Sequence, residues 1–159
     1  MTDYVDSYYT RTRADDIRRP PLEGSATTEV AVVGGGMAGL ATALGLAERG
    51  RKVTLLEARR VGWGASGRNG GFVSAGFALG PDDLIRKLGK PRAQELYALS
   101  KEGVALVRKR ADAIAGGVAP IVDGIAGCSW FDDRAAVERR ARFMNETFGE
   151  RREVWDREK

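Results

Sequence analysis

The sequence contains no histidine and only one cysteine, Cys128, among its 159 residues. The absence of histidine excludes Ser-His-Asp and Cys-His triads, His-ligated zinc and histidine acid–base catalysis within this chain. We predict no metal site. A single cysteine excludes an internal disulfide framework and is typical of a reducing compartment, so we expect a cytoplasmic protein.

Long apolar runs are also absent. No stretch approaches the ~20 apolar residues that a membrane span needs. The first 30 residues are polar and charged where a secretory signal would have an apolar block. The charge excess is small, with 26 Lys and Arg residues against 22 Asp and Glu residues. We therefore predict no membrane span and no nucleic-acid partner.

Glycine, by contrast, is abundant and unevenly distributed. Thirteen of the 21 glycines lie between Gly34 and Gly80. Glycine permits positive φ angles and the close approach of backbone to a ligand, at an entropic cost. The cluster therefore points to a segment in which the backbone itself has a function.

The pattern of apolar residues predicts a strand–helix–strand unit in this segment. Residues 28–33 form a short β-rich run whose apolar part, Val30–Val33, is typical of a buried parallel strand. Residues 37–49 predict a helix that ends at Gly50, and residues 52–57 predict a second strand. Residues 58–80 have no period and contain seven glycines, which indicates a loop. The order is that of a βαβ unit.

Helices are predicted for the following part of the chain. Residues 81–88 predict a short helix, and Pro91 suits the first turn of a longer one that ends at Gly116 and Gly117. The spacing of its apolar residues predicts one shared face, formed by Leu96, Leu99, Gly103, Leu106, Val107 and Ile114.

A further strand and helix are predicted near the end of the chain. Residues 125–131 predict a core strand containing Trp130 and Phe131, with Cys128 as a buried, unreactive thiol. Asp132 is predicted to cap a final helix that stops at Gly149 and whose apolar positions are Ala135, Val137, Ala141 and Met144.

The first chemical motif is G-x-G-x-x-G at positions 34–39, between the first strand and the helix. Gly34 suits the tight turn, Gly36 allows a pyrophosphate to touch the backbone, and Gly39 allows the helix to pack against the strand. Glu57 follows 18 residues after Gly39 and suits hydrogen bonds from ribose hydroxyls. The alternative interpretation is a tight turn without a ligand.

A second glycine patch at positions 62–71 distinguishes between dinucleotides. A plain NAD-binding unit does not need it, whereas a longer dinucleotide needs a second wall beside its pyrophosphate. Ser66 supplies a hydrogen-bond donor and Arg68 a fixed cation for phosphate oxygens. A flexible surface loop is the alternative, but Trp63 and Phe72 are large apolar residues for a solvated loop.

The sequence of residues 30–72, VAVVGGGMAGLATALGLAERGRKVTLLEARRVGWGASGRNGGF, resembles the N-terminal flavin-binding region of the D-amino-acid oxidase superfamily of FAD-dependent oxidoreductases. It is most similar to the gamma-glutamylputrescine oxidoreductase-like amine oxidases, in which a GASGRNGG run follows the second strand. Members of that group commonly have Gln where this chain has Phe72.

The resemblance implies that FAD is the cofactor and assigns its site. The pyrophosphate would lie against the glycine motif, the adenosine ribose against Glu57 and the adenine near Arg59, while the second patch would line the pyrophosphate and the flavin. The residues implied are Gly34, Gly36, Met37, Ala38, Gly39, Glu57, Ala58, Arg59, Gly64, Ala65, Ser66, Arg68, Asn69, Gly70 and Gly71.

The fold that the resemblance implies is α/β, the N-terminal part of a Rossmann-like FAD-binding domain. We expect a polar arm over residues 1–26, the FAD-binding part over 27–117, the start of a substrate domain over 118–149 and a charged tail over 150–159. Two parallel strands do not form a stable sheet alone. We therefore expect an incomplete domain whose missing remainder is a partner for folding.

The implied chemistry is oxidation of a small-molecule amine or amino acid. A hydride passes to the flavin to give an imine, and the electrons then go to oxygen or another acceptor. No residue stands out as a catalytic acid or base, and we do not expect this chain alone to turn over. Two alternatives stay open: a non-enzymatic FAD- or ADP-binding module that needs a partner chain, and a fragment of an NAD-dependent dehydrogenase.

Overall fold

The computed structural model describes residues 4–13, 16–114 and 121–156. They form two compact units, which are divided between Phe72 and Val73. No helix among these residues is both long and apolar enough to cross a membrane. The first unit contains α1 (Tyr8–Arg11), β1 (Val30–Val33), α2 (Met37–Ala47) and β2 (Val53–Leu56), and the second contains α3 (Pro81–Leu88), α4 (Lys90–Ala113) and α5 (Arg134–Phe148).

The first unit is organised around the strand–helix–strand order that the sequence predicts. β1 and β2 are parallel, with Val30 opposite Val53 and Val33 opposite Leu56. Both strands are shorter than predicted, at four residues each. α2 stops at Ala47, and the chain then turns through a Gly50 with a φ of 75°. This turn returns the chain to the start of β2.

Few side chains in the first unit are buried. Among its described residues only Gly35 and Arg60 are buried, and α2 has no buried residue. Val33, at the end of β1, is 85% exposed. Hydrogen bonds of the backbone and of polar side chains, rather than an apolar core, therefore hold this unit together.

The second unit is helical and has a small apolar core. Its helices contribute Leu84, Ala93, Tyr97, Met144 and Phe148 to one cluster. The rings of Tyr97 and Phe148 lie 4.6 Å apart between centroids. Close ring packing of this kind stabilises a core beyond the area that it buries.

Several helix boundaries in this unit agree with the sequence prediction, whereas α4 ends earlier than predicted, at Ala113. α3 spans the predicted residues, and Pro91 lies in the first turn of α4. α5 ends at Phe148, and Gly149, which follows it, has a φ of 62° that suits a glycine after a helix. The glycine pair at 116 and 117, which was predicted to end the long helix, lies outside the described residues.

The predicted apolar face of α4 is wrong in its details. The buried residues of α4 are Ala93 and Tyr97, whereas Leu99 is 59% and Ile114 is 60% exposed. Ala93 and Tyr97 are four positions apart and share a face. The other buried members of the core cluster, Leu84, Met144 and Phe148, belong to α3 and α5. Apolar spacing alone does not indicate which part of a face a neighbouring helix covers.

The predicted core strand at residues 125–131 is also wrong. No described residue in this segment is in a strand, and Trp130 and Phe131 are 96% and 80% exposed. Cys128, predicted to be buried, is exposed. A strand needs a partner with which to exchange hydrogen bonds, and the described residues of the second unit contain no other strand.

The cap of the last helix lies one residue later than predicted. α5 begins at Arg134, and Asp133 Oδ1 accepts a 2.9 Å hydrogen bond from the Ala136 N–H. Asp133, rather than Asp132, therefore satisfies a free N–H group of the first turn.

Candidate dinucleotide site

The turn between β1 and α2, residues 34–36, is shaped by glycine. Gly34 has a φ of 103°, and its N–H donates a 2.7 Å hydrogen bond to the Leu56 carbonyl at the end of β2. A Cβ atom at Gly39 would lie only 1.9 Å from the Gly34 carbonyl oxygen. The helix therefore starts so close to the turn that a side chain at Gly39 does not fit.

The N-terminus of α2 faces the second glycine patch. The first N–H groups of a helix have no carbonyl partner within it and carry the positive end of its dipole. The Met37 N–H donates a 3.0 Å hydrogen bond to Ser66 Oγ. A Cβ atom at Gly36 would lie 3.0 Å from the same oxygen. Such an end, with a hydroxyl beside it, suits the binding of a phosphate.

Glu57 approaches the glycine turn from the end of β2. Its Oε2 accepts a 2.6 Å hydrogen bond from the Gly35 N–H, and its Oε1 accepts a 2.8 Å bond from the Arg59 N–H. These two bonds, the one from Gly35 first, lower the pKa of Glu57 below its ordinary value. The carboxylate is therefore ionised at neutral pH, and each oxygen has a further lone pair for a hydroxyl donor.

The second glycine patch packs against the first. Ser66 lies in a 3₁₀ turn, Ala65–Gly67. A Cβ atom at Gly67 would lie 2.2 Å from the Gly62 carbonyl oxygen, and the Gly62 N–H donates a 2.9 Å bond to the Gly35 carbonyl. The start of the patch is thus built onto the glycine turn, which argues against a free surface loop.

Two of the predicted cations meet at one aromatic ring. The guanidinium carbon of Arg59 lies 3.7 Å from the centroid of the Trp63 ring, and that of Arg68 lies 5.1 Å from it. A guanidinium over an indole face is attracted by the ring quadrupole. Trp63 therefore holds both arginine side chains near the end of β2.

The other residues that the resemblance implies are less closely tied to the turn. Asn69 bonds within its own loop, donating to the Ser66 carbonyl at 2.8 Å and accepting from the Gly71 N–H at 2.8 Å. Ala38, Ala58, Ala65 and Gly70 are exposed, and Gly64 is half-buried with its carbonyl accepting from Arg68 Nε at 3.2 Å. None of them is joined to the glycine turn by a hydrogen bond that the structure describes.

Sequence reasoning missed four residues of this site. Gly35 donates to Glu57, Gly62 donates to Gly35, Gly67 allows the patch to close, and Trp63 stacks on the arginines. A signal was present for the glycines, because their density exceeds what one G-x-G-x-x-G turn needs. No sequence pattern indicated the stacking of Arg59 on Trp63.

The donor set fits a pyrophosphate linked to a ribose. The free N–H groups of α2, the Ser66 hydroxyl and the Arg68 guanidinium suit phosphate oxygens, and the Glu57 carboxylate suits ribose hydroxyls. A side chain at Gly36 would contact Ser66 Oγ, and one at Gly39 would clash with the Gly34 carbonyl oxygen. Among the residues just described, Glu57 is the one carboxylate, and two backbone N–H groups hold it in place.

A family model described as FAD dependent oxidoreductase matches residues 29–159. The probable oxidoreductase OrdL of Haemophilus influenzae is 43% identical over 108 residues, which are 68% of this chain and 25% of that protein. The gamma-glutamylputrescine oxidoreductase of Escherichia coli K12 is 40% identical over 110 residues, which are 69% of this chain and 26% of that protein. The chain thus spans about a quarter of the length of these curated relatives. No solved structure matches.

Proposed function

This chain belongs to the FAD-dependent oxidoreductase family, and we propose that its βαβ unit binds the ADP portion of FAD at the glycine turn. One observation carries the proposal. Two polar side chains from later segments reach backbone N–H groups here: Glu57 accepts from Gly35 in the glycine turn, and Ser66 accepts from Met37 at the start of α2. These bonds bring a carboxylate suited to a ribose and a hydroxyl suited to a phosphate to the start of one helix, which supports the proposal.

Each part of the dinucleotide is assigned to a group with the matching chemistry. The pyrophosphate is held by the backbone of residues 36–39 and by Arg68. Ser66 Oγ accepts from Met37 and still has its own proton to donate to a phosphate oxygen. Glu57 accepts from the ribose, and the Arg59–Trp63 stack lies at the adenine end. The rest of the second patch lies beside the pyrophosphate and the flavin; these residues are Gly64, Ala65, Asn69, Gly70 and Gly71.

The reaction that we propose for the whole protein is oxidation of a small-molecule amine or amino acid, with oxygen or another acceptor taking the electrons. Bound FAD supplies the two-electron acceptor, and the protein contributes position and electrostatics. The proposal is supported by the oxidoreductase relatives, one of which is a gamma-glutamylputrescine oxidoreductase.

We further propose that these residues do not complete an active site. The described residues around the turn offer no acid or base that is free to act on a substrate, because Glu57 is engaged by Gly35 and Arg59. The test is an amine-oxidation assay on the FAD-loaded chain, with hydrogen peroxide and dye reduction as readouts. We expect no turnover above free FAD, and steady amine-dependent turnover would contradict this part.

Binding of FAD is tested by titrating the 159-residue chain with FAD and with NAD, followed by flavin fluorescence and equilibrium dialysis. We expect FAD to bind and ADP to compete with it. Glu57→Gln should weaken FAD binding about tenfold or more, because a hydrogen bond to a charged group contributes ~1.5–3 kcal/mol.

Glu102→Gln is the matched control, because it makes the same change at an exposed position of α4. We expect it to leave the affinity for FAD unchanged. Circular dichroism of both variants checks that they are folded. A chain that binds no FAD, or a Glu57→Gln variant that binds it as tightly as wild type, would contradict the proposed site.

A further inference from the structure

The N-terminal segment contacts the turn that follows Glu57. We name residues 4–13 and 16–17 the N-terminal strap; they precede the residues that the family model matches. The Tyr4 hydroxyl donates a 2.7 Å hydrogen bond to the Val61 carbonyl, 57 residues away in sequence. Asp16 Oδ1 accepts a 2.7 Å bond from Arg60 Nη2. A segment that sequence composition predicts to be a polar arm is thus joined to the candidate site at two successive residues.

Arg60 is the point at which the strap is anchored. Its side chain is 5% exposed, although it carries a charge. The guanidinium carbon lies 4.7 Å from the centroid of the Tyr4 ring, and Nη2 also donates to the Ile17 carbonyl at 3.4 Å. A buried charge is tolerated only when it is paired and hydrogen-bonded. The strap supplies a carboxylate, a carbonyl and an aromatic face for this purpose.

The strap is itself held together around the same groups. Arg13 Nη2 forms a 2.7 Å ion pair with the Asp16 oxygen that also accepts from Arg60. The Arg13 guanidinium carbon lies 5.3 Å from the Tyr4 ring centroid. Tyr4 and Asp16 are therefore shared between an arginine of the strap and the arginine of the turn, so that docking the strap and burying Arg60 are one event.

Residues 60–63, which the strap contacts, are also connected to the glycine motif. The Gly62 N–H, which follows Val61, donates a 2.9 Å bond to the Gly35 carbonyl. The Trp63 N–H donates a 2.9 Å bond to the Arg60 carbonyl, which places the indole on which Arg59 stacks. A continuous set of hydrogen bonds thus runs from Tyr4 to the residue that donates to Glu57.

We propose that the N-terminal strap is a positioning element of the dinucleotide site. By fixing residues 60–63 it fixes the Gly35 carbonyl and the Arg59–Trp63 stack before the cofactor binds. The inference rests on the proposed function for the identity of the ligand. The strap itself contacts no group assigned to FAD, so Tyr4, Asp16 and Arg60 are positioning residues rather than binding residues.

The experiment compares Tyr4→Phe with Tyr9→Phe in the full 159-residue chain. Tyr4→Phe keeps the ring that lies on Arg60 and removes only the hydroxyl that bonds to Val61. Tyr9 lies on the same strap and is 41% exposed, so Tyr9→Phe is the matched control. Amide hydrogen exchange at Gly62 and Trp63 is measured by NMR without cofactor, and the Kd for FAD is measured separately.

We expect exchange at Gly62 and Trp63 to become about fivefold faster in Tyr4→Phe and to stay unchanged in Tyr9→Phe, because one hydrogen bond is lost from the path. The Kd for FAD should rise about threefold to tenfold in Tyr4→Phe alone. Asp16→Asn, which weakens the pairing of the buried Arg60, should shift both readouts in the same direction. Asp6→Asn, at an exposed pair with Arg11, should shift neither.

Each outcome supports or contradicts the proposal. If the exchange rate at Gly62 in both Tyr4→Phe and Asp16→Asn equals that of the wild-type chain, the strap does not hold residues 60–63. Faster exchange with an unchanged Kd for FAD would overturn its role in positioning the site. If the wild-type chain binds no FAD, the proposed function fails, whereas the exchange measurements still decide whether the strap holds the glycine turn.

Discussion

The two units of this chain are stabilised in opposite ways. The first unit buries only Gly35 and Arg60 among its described residues, and neither is an apolar side chain. The second unit buries a cluster of Leu84, Ala93, Tyr97, Met144 and Phe148. Backbone conformation and hydrogen bonds therefore specify the unit that carries the candidate site, and side-chain packing specifies the other.

This difference has a consequence for the first unit. Val33, Met37, Leu40 and Leu44 are 85%, 62%, 40% and 44% exposed, so the apolar faces of β1 and α2 contribute little burial. Burial of apolar surface is the main favourable term in folding. We expect the first unit to have a lower free energy of unfolding than the second. We also expect substitutions at its closely packed glycines to lower that free energy more than substitutions at its apolar residues.

The largest effect is expected at Gly39 in the first unit. Gly39→Ala would place a Cβ atom 1.9 Å from the Gly34 carbonyl oxygen, so the turn and the helix would have to separate. Overpacking typically costs ~1–3 kcal/mol and occasionally more, and this clash is with backbone, which cannot move aside cheaply. We expect β1 and α2 to lose their amide protection and the chain to lose FAD binding.

Gly80→Ala is the control for this substitution, because Gly80 lies outside the candidate site, nothing lies within 4 Å of its added Cβ atom and its φ is −62°. Hydrogen exchange at β1 and a titration with FAD measure both variants. If Gly39→Ala kept wild-type exchange rates, backbone packing would not be what holds the first unit.

The same side-chain deletion in both units tests the comparison directly. Met144 is 1% exposed in the second unit, and Met37 is 62% exposed in the first. Met144→Ala should lower the free energy of unfolding of the second unit by about 3 kcal/mol, because it leaves a cavity. Met37→Ala should change that of the first unit by less than ~0.5 kcal/mol. Residue-resolved hydrogen exchange in denaturant gives both values. Equal losses of free energy would contradict the claim that side-chain packing stabilises the second unit and not the first.

The same contrast explains what the sequence could and could not predict. The glycine turn, the position of Glu57 and the order of β1, α2 and β2 follow from local rules of backbone geometry, which single residues express. The helix boundaries at Pro81, Pro91 and Gly149 follow from such rules as well. These features do not depend on which other part of the chain lies alongside.

The errors concern packing between distant segments. The covered face of α4, the exposure of Trp130 and Phe131, and the absence of a strand at 125–131 depend on neighbours that apolar spacing does not specify. In the candidate site, the bond from Tyr4 to Val61 and the stacking of Arg59 on Trp63 were unpredictable for the same reason. Each joins groups whose approach is fixed only in the folded chain.

Alkaline pH is expected to affect the packed unit through Tyr97. Burial first, and then the hydrogen bond from its hydroxyl to Glu150, raise the pKa of Tyr97 to about 12. An unfolded tyrosine has a pKa of ~10. The stability that protonated Tyr97 contributes is therefore complete below pH ~10 and is lost as the pH rises through about 12.

The expected loss is of the order of 2 kcal/mol, in the second unit only. A titration followed by tyrosinate absorbance and circular dichroism should show the second unit losing helix in this window. Tyr97→Phe should remove that component, and Tyr8→Phe, at a 73% exposed position, should not. An unchanged alkaline transition in Tyr97→Phe would place the sensitivity elsewhere.

The smallest effect concerns the cap of α5, where a single side chain acts on the backbone inside the packed unit. Asp133 Oδ1 accepts from the Ala136 N–H at 2.9 Å, so Asp133→Ala would leave a free donor in the first turn. We expect a loss of about 1 kcal/mol in the free energy of unfolding of the second unit. Asp132→Ala is the matched comparison, since the sequence pattern favours Asp132 as the cap. Denaturant unfolding of both variants gives the two losses. A larger loss from Asp132→Ala would show that Asp132 is the cap. The sequence pattern, rather than the observed start of α5 at Arg134, would then describe this end of the helix.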